Sequence, residues 1–200
     1  MDKAMDKAIR IIHDEHLSIS AVLDGLLTLS RAARDPSLQP EFPVFHAMIH
    51  YIDAFPERLH HPKEEQYLFA RLAERSPEAR PLIEDLRVEH VRGALLIREV
   101  ESALLAFEVE GASAAAAFTD AVEAYAKFHW DHMRKEEKQL IPLAQRHLQA
   151  QDWAAIESAF AGNDDPIADL READFRKLFG RIVTLAPDPV GLGDRWRKSR

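Results

Sequence analysis

An all-α fold is what this sequence predicts: an up-and-down four-helix bundle with a short helical C-terminal extension. Three observations carry that prediction. Apolar residues recur at the 3.6-residue period along four long segments, β-branched alternation is nearly absent, and short breaks rich in Pro or Gly separate the segments. The bundle is assigned to residues 1–148 and the extension with its tail to 149–200.

The first helix covers roughly residues 3–33. Ile9, Ile12, His16, Ile19, Leu23 and Leu26 follow one another at spacings of three and four, forming one buried stripe with a histidine in its middle. PSLQP at 36–40 breaks the chain before a second helix over 41–75. Pro56 and Pro62 lie inside it, and each removes a backbone donor and is expected to kink the helix. Ser76 is the expected N-cap of a third helix, 77–109, with Pro77 at its first position and Ile83, Leu86, His90, Ile97, Val100 and Leu104 on its inner face. Gly111 stops it. The fourth helix, 113–148, places Phe118, Val122, Tyr125, His129, His132, Glu136, Leu140 and Leu143 along one stripe. Shorter helices are expected at 151–161, closed by Gly162-Asn163, and at 167–184, before an extended tail.

Composition narrows the function classes. A formal charge of −8 is the wrong sign for tracking phosphates, and only the terminal RWRKSR is locally basic, so nucleic acid is not an expected partner. The absence of cysteine excludes disulfides, thiolate metal sites, iron–sulfur ligation and thiol catalysis. There is no run of 18 apolar residues to span a membrane, and the N-terminal MDKAMDKAIRIIHDEH is too charged for a signal peptide. A cytoplasmic location is the resulting expectation.

The chemistry lies in an internal repeat. His60 is followed four residues on by Glu64 in HHPKEEQYLF, and His132 by Glu136 in HMRKEEKQLI, so both segments read H-x-x-x-E-E-x-x-L. His16 precedes the first by 44 residues and His90 precedes the second by 42. Each half therefore offers one helix with a single histidine and one with a His/Glu pair. Residues at i and i+4 share a helix face, so each pair aims an imidazole and a carboxylate at one point. A core-facing glutamate is costly unless a cation compensates it, and two facing glutamates are worse. Mixed nitrogen and oxygen ligation suits iron, zinc or copper, and this many donors exceeds one tetrahedral zinc. Two metal ions are the expected count.

Three further positions belong to the same reading. His61 lies about 100° round the helix from His60, and a kink at Pro62 can bring it in as an additional ligand. His129 sits one turn before His132 and reaches the same cavity, either as a ligand or as a partner holding a liganded carboxylate. Tyr125, one turn earlier still, is an ordinary core aromatic or a donor of a hydrogen bond or electron. Glu137 is expected to face away from the stripe. His13, His46, His50 and His147 lack the placement and read as surface or packing residues.

His16, His60, Glu64, His90, His132 and Glu136, in that helix order, resemble the hemerythrin-like family, the HHE cation-binding domains, over roughly residues 5–148. The resemblance implies a four-helix bundle around a non-heme di-iron centre, two Fe ions oxo- or hydroxo-bridged, with Glu64 and Glu136 as bridging carboxylates. Manganese or zinc are the alternative metals. Ala94 stands where oxygen-carrying members have a second third-helix histidine, a role His129 or His61 can take over. The function implied is oxygen, nitric oxide or peroxide binding or reaction, in oxidative or nitrosative stress response or iron handling. The alternative is an iron-responsive or iron-holding module without turnover. A homodimer or an electron-donor protein is the macromolecular partner such a centre admits. A ferritin-like oxidase would need Glu-x-x-His twice, and only Glu57-Arg-Leu-His60 matches.

Overall fold

The structure, a computed structural model, describes residues 3–161. The helix expected at 167–184, the Gly162-Asn163 stop and the tail lie outside the described residues. Within them the fold is all-α, with no strand.

Four rods form the bundle. The first is α1, Lys3–Ala32. The second runs as α2 (Phe42–Ile52), α3 (His61–Lys63) and α4 (Ala70–Arg75), joined without a break by π-helical stretches at Asp53–His60 and Glu64–Phe69. The third is α5, Arg80–Glu110, and the fourth is α6 (Ala115–Lys135) continued through a π-helical Glu136–Leu140 into α7 (Ile141–His147). A fifth helix, α8 (Ala150–Ala161), packs on α1.

The prolines do not end the rod. Around Pro56 and just after Pro62 the helix widens, and the backbone bonds five residues back: His61 N–H to the Pro56 carbonyl, Ala70 N–H to Glu65. The fourth rod does the same at Ile141 N–H to Glu136, just before Pro142. A π turn absorbs a missing donor without ending the helix, and such turns concentrate at functional sites.

Ser76 also departs from expectation. It has extended backbone (φ −137°, ψ 97°) and its carbonyl accepts from Ala79 N–H at 3.1 Å, yet its buried hydroxyl has no partner, so it caps through backbone alone. Gly111 ends α5 as expected. Its φ of +69° is disfavoured for any residue with a Cβ, and its N–H bonds to the Phe107 carbonyl.

The apolar core is divided in two. One cluster gathers Leu23, Leu26, Met48, Ile52, Val100 and Phe118. The other gathers Ile12, Leu72, Leu86, Leu140, Trp153 and Phe160, so α8 contributes to it. Between them lies a buried polar layer of histidines and glutamates. Thr119 ties α6 to α1 through a 2.8 Å bond to the Ser30 carbonyl, and Arg75 holds Asp152 at the start of α8 at 2.9 Å. None of the described helices is long and apolar enough to cross a membrane.

Candidate metal centre

Each rod delivers its ligand candidates from the stripe that otherwise buries Leu and Ile. His16, His60, Glu64, His90, His132, Glu136, His61 and His129 are all at most 6% exposed, and all converge on the layer between the two core clusters. The histidines meet in pairs. His16 Nε2 lies 3.1 Å from His60 Nε2, and His90 Nε2 lies 3.2 Å from His132 Nε2. Two nitrogens bound to one ion at about 2.1 Å from adjacent positions stand about 3 Å apart, which is the separation seen in both pairs.

The carboxylates span the pairs. Glu64 Oε1 is 3.3 Å from His60 Nε2 and 3.9 Å from His16 Nε2, while its Oε2 is 3.6 Å from His90 Nε2. Glu136 mirrors it: Oε1 is 3.3 Å from His132 and 3.9 Å from His90, and Oε2 is 3.5 Å from His16. No hydrogen bond reaches any of these four oxygens, although all are fully buried. Burying such acceptors without compensation costs several kcal/mol, so their placement calls either for protonated imidazoles beside them or for cations between them. Two donor groups emerge, His16/His60/Glu64/Glu136 and His61/Glu64/His90/His132, sharing Glu64.

A ring of outer carboxylates fixes the four imidazoles. Nδ1 of His16 meets Glu137 at 3.0 Å, and that of His60 meets Glu15 at 2.7 Å. His90 meets Glu65 at 2.7 Å and His132 meets Glu89 at 2.9 Å. Each Nδ1–H donates outward, which turns every Nε2 toward the centre. Lys135 in turn pairs with Glu89. Glu137 thus does not face away from the centre, as the stripe suggested; it is about one-third exposed and grips His16. Of the other three, Glu65 reads in the sequence only as the i+4 partner of His61, and Glu15 and Glu89 were not singled out, but the signal is there. Glu15 and Glu89 immediately precede the single histidines, and Glu65 and Glu137 immediately follow the paired glutamates, so the ring obeys the same internal repeat.

Without metal, protons hold the layer together. Burial works against a charged His132, but Glu136 and Glu89 overcome it and raise its pKa to about 10. His60 is raised well above its ordinary value against the same burial, by Glu64 and Glu15. Burial and neighbouring Glu64 push Glu136 up, yet His132 and His90 bring it down to about 2. Glu64 is likewise held low against burial, chiefly by His60 and His16. Ligation needs neutral imidazoles, so cations would displace these protons.

His61 and His129 behave differently. Burial first, then the surrounding histidines, hold both well below the ordinary imidazole value, so both are neutral. His61 stacks on His90 with ring centres 4.2 Å apart. Neither nitrogen of His129 and not Nδ1 of His61 has a hydrogen-bond partner, which leaves lone pairs free for a ligand role. Glu57 Oε2 stands 3.4 Å from His61 Nδ1, and Tyr125 donates to Glu57 Oε1 at 2.9 Å. Burial raises Glu57 to about 7, the Tyr125 hydrogen bond opposing it only in part. Gly93 admits this arrangement, since a Cβ there would stand 3.1 Å from Glu57 Oε1. A cleft of about 500 Å³ lined by Glu57, His61, Glu65, His90 and Ala94 opens on this side. Ala94 thus gives space rather than a ligand.

His13, His46 and His50 are exposed and His147 is half-buried, away from the layer. His46 pairs with Glu108 at 2.9 Å and His147 with Glu78 at 3.0 Å.

Comparison with curated proteins and with solved structures returned no match. The family model of the hemerythrin HHE cation-binding domain matches residues 7–144, from the first turns of α1 to within α7. The chain belongs to the hemerythrin HHE cation-binding family.

Proposed function

We propose that this chain is a cytoplasmic non-heme di-iron protein that binds or reacts with dioxygen, nitric oxide or peroxide, in stress response or iron handling. One observation carries the reading: Glu64 and Glu136 each turn one unsatisfied oxygen toward each histidine pair, the disposition needed to hold two cations in one layer. His16 and His60 would hold one ion and His90 and His132 the other, with His61 and His129 available beside the second. Two nitrogens and two carboxylate oxygens per ion suit ferrous and ferric iron. Iron there supplies a redox-active Lewis acid able to take a diatomic or peroxide ligand.

The chain's own residues do the rest. The outer carboxylates fix the imidazoles, and the two apolar clusters keep bulk water from the layer. Glu57, near half-protonated at neutral pH, can hold or yield a proton beside His61, oriented by Tyr125.

The test is anaerobic loading with ferrous iron, then exposure to air, peroxide or nitric oxide. Two irons per chain are expected, with a spectrum that responds to at least one of the three. Reversal on degassing marks a carrier and rapid peroxide turnover an enzyme. Less than one iron per chain, unaltered by His132→Ala, defeats the proposal. A second reading, an iron-responsive module, is favoured by the position of the titratable layer across the middle of the core. Metal would then order the bundle, and loss of iron would lower its melting temperature sharply while no turnover is seen.

A further inference from the structure

The outward face of α5 is unusual for a solvated helix. Val88, Val91, Leu95, Leu105 and Val109 are each 61–77% exposed, on a helix whose opposite face carries His90 and Ile97 into the core. Arg98 and Ser102 continue the series between Leu95 and Leu105, so the positions advance by three and four alternately from 88 to 109. That is an a/d heptad seam of three repeats, about 32 Å long. Scattered exposed apolar residues need no partner; a seam in strict register does.

We propose that a second copy of this chain docks on this seam, α5 against α5, antiparallel. The flanking charges select that arrangement. With Val88 as an a position, Arg87 and Glu108 are g positions and Arg92 and Glu99 are e positions, and all four lie on the surface or half-buried. In an antiparallel pair, e faces e′ and g faces g′. Centring the two-fold axis between Leu95 and Arg98 sets Val88 on Leu105′ and Val91 on Ser102′, and lays the Arg98 stem along Leu95′. It also brings Arg92 to Glu99′ and sets Arg87 and Glu108′, which bond Glu84 and His46 within their own chains, opposite one another, four opposite-charge approaches in the whole interface. Sliding by one heptad would oppose Glu99 to Glu99′ and Glu101 to Glu101′. A parallel pair would oppose Arg87 to Arg92′. Like charges facing one another across such a seam are destabilising, so only the first register is free of them.

The seam borders the centre. Arg87, Val91 and Ala94 belong to it or flank it, and they also line the cleft that reaches His90 and His61. The second copy therefore roofs the approach to one side of the polar layer. A single helix pair with Arg98 and Ser102 among its seam positions makes a small, partly polar contact, so the dimer is expected at micromolar rather than nanomolar concentrations.

The test is sedimentation velocity of the full chain over about 1–100 µM. A monomer–dimer equilibrium is expected. Leu95→Glu, at an exposed position, should give monomer throughout while helicity and metal content stay unchanged. Arg92→Glu and Glu99→Arg should each weaken the dimer roughly tenfold, and the double reversal should restore it. A wild-type monomer at every concentration overturns the proposal. So does a tighter dimer with Arg92→Glu, because that outcome belongs to the parallel pair. If only a chain shortened to residue 161 dimerises, the seam is covered by the chain's own C-terminal segment and the proposal likewise falls.

Discussion

The two halves of the polar layer share a frame and differ in what surrounds it. His16 with His60, and His90 with His132, have nearly equal nitrogen separations, equal 3.3 Å approaches from their own-helix glutamates, and one outer carboxylate per imidazole. Around the first pair the walls are apolar: Phe55 stacks near His60 and Phe160 meets it edge-on at 6.1 Å. Around the second stand His61, His129, Glu57, Tyr125 and the cleft. The difference teaches that the repeat supplies the donor frame twice, whereas among the described residues the cleft and the Glu57–Tyr125 pair stand beside the second half.

The largest effect should come from breaking what the halves share. Glu64→Ala or Glu136→Ala should remove both ions, measured as metal per chain after loading and desalting; retention of one ion would show that neither carboxylate spans the pairs. His61→Ala and His129→Ala should sharpen the contrast. Each should cost at most one ion and change the ferrous–nitrosyl or ferric spectrum, and a loss of both ions would erase the distinction between the halves.

Next come the outer carboxylates. Glu15→Gln, Glu65→Gln and Glu89→Gln should weaken metal binding about 10- to 100-fold by competition with a chelator. Glu137→Gln, at a contact more open than that of Glu15, should cost less than Glu15→Gln and far less than Glu136→Ala. Equal losses at 136 and 137 would reverse the assignment of ligand and support.

The smallest effect is on pH dependence. In metal-free protein His60 and His132 are raised above their unfolded value near 6.5, so their stabilisation is complete below that pH and fades as pH rises through their raised values, about 10 for His132. Glu64 and Glu136 are depressed, so theirs is present above about 4.5 and fades as pH falls through their lowered values, about 2 for Glu136. These four groups place the highest melting temperature of metal-free protein between roughly pH 4.5 and 6.5. His61 and His129, held neutral, oppose them as pH falls below about 6.5 and move the maximum toward the upper edge of that window. Metal binding releases the histidine protons, so the gap in melting temperature between loaded and metal-free protein should widen from pH 6 to pH 9. A constant gap would mean that these imidazoles are already neutral.

Much of this was legible in the sequence. Rod lengths followed from apolar periodicity, since α1 and α5 bury a single stripe each. The convergent residues followed from polar groups sitting on that stripe at matching registers. The π turns were not legible, because a five-residue backbone bond leaves no side-chain signature beyond a proline that also fits a kink. The ring of outer glutamates was missed for a geometric reason. A residue 100° round from the core is solvated on an isolated helix, yet between two rods it meets the neighbouring rod, as Glu15 meets His60 and Glu137 meets His16. Ser76 misled because its sequence position fits a cap while its hydroxyl turns inward.

The fifth helix has a consequence for traffic. Phe160 seals the His60 side, with Lys63 Nζ 5.7 Å above its ring, and Arg75 clamps α8 in place through Asp152. Among the described residues the cleft beside His90 then lies on the opposite side of the layer from this seal, and a small molecule using it would enter and leave past the same imidazole. Loosening α8, for example with Asp152→Ala, would cut a second doorway and let arrival and departure run independently.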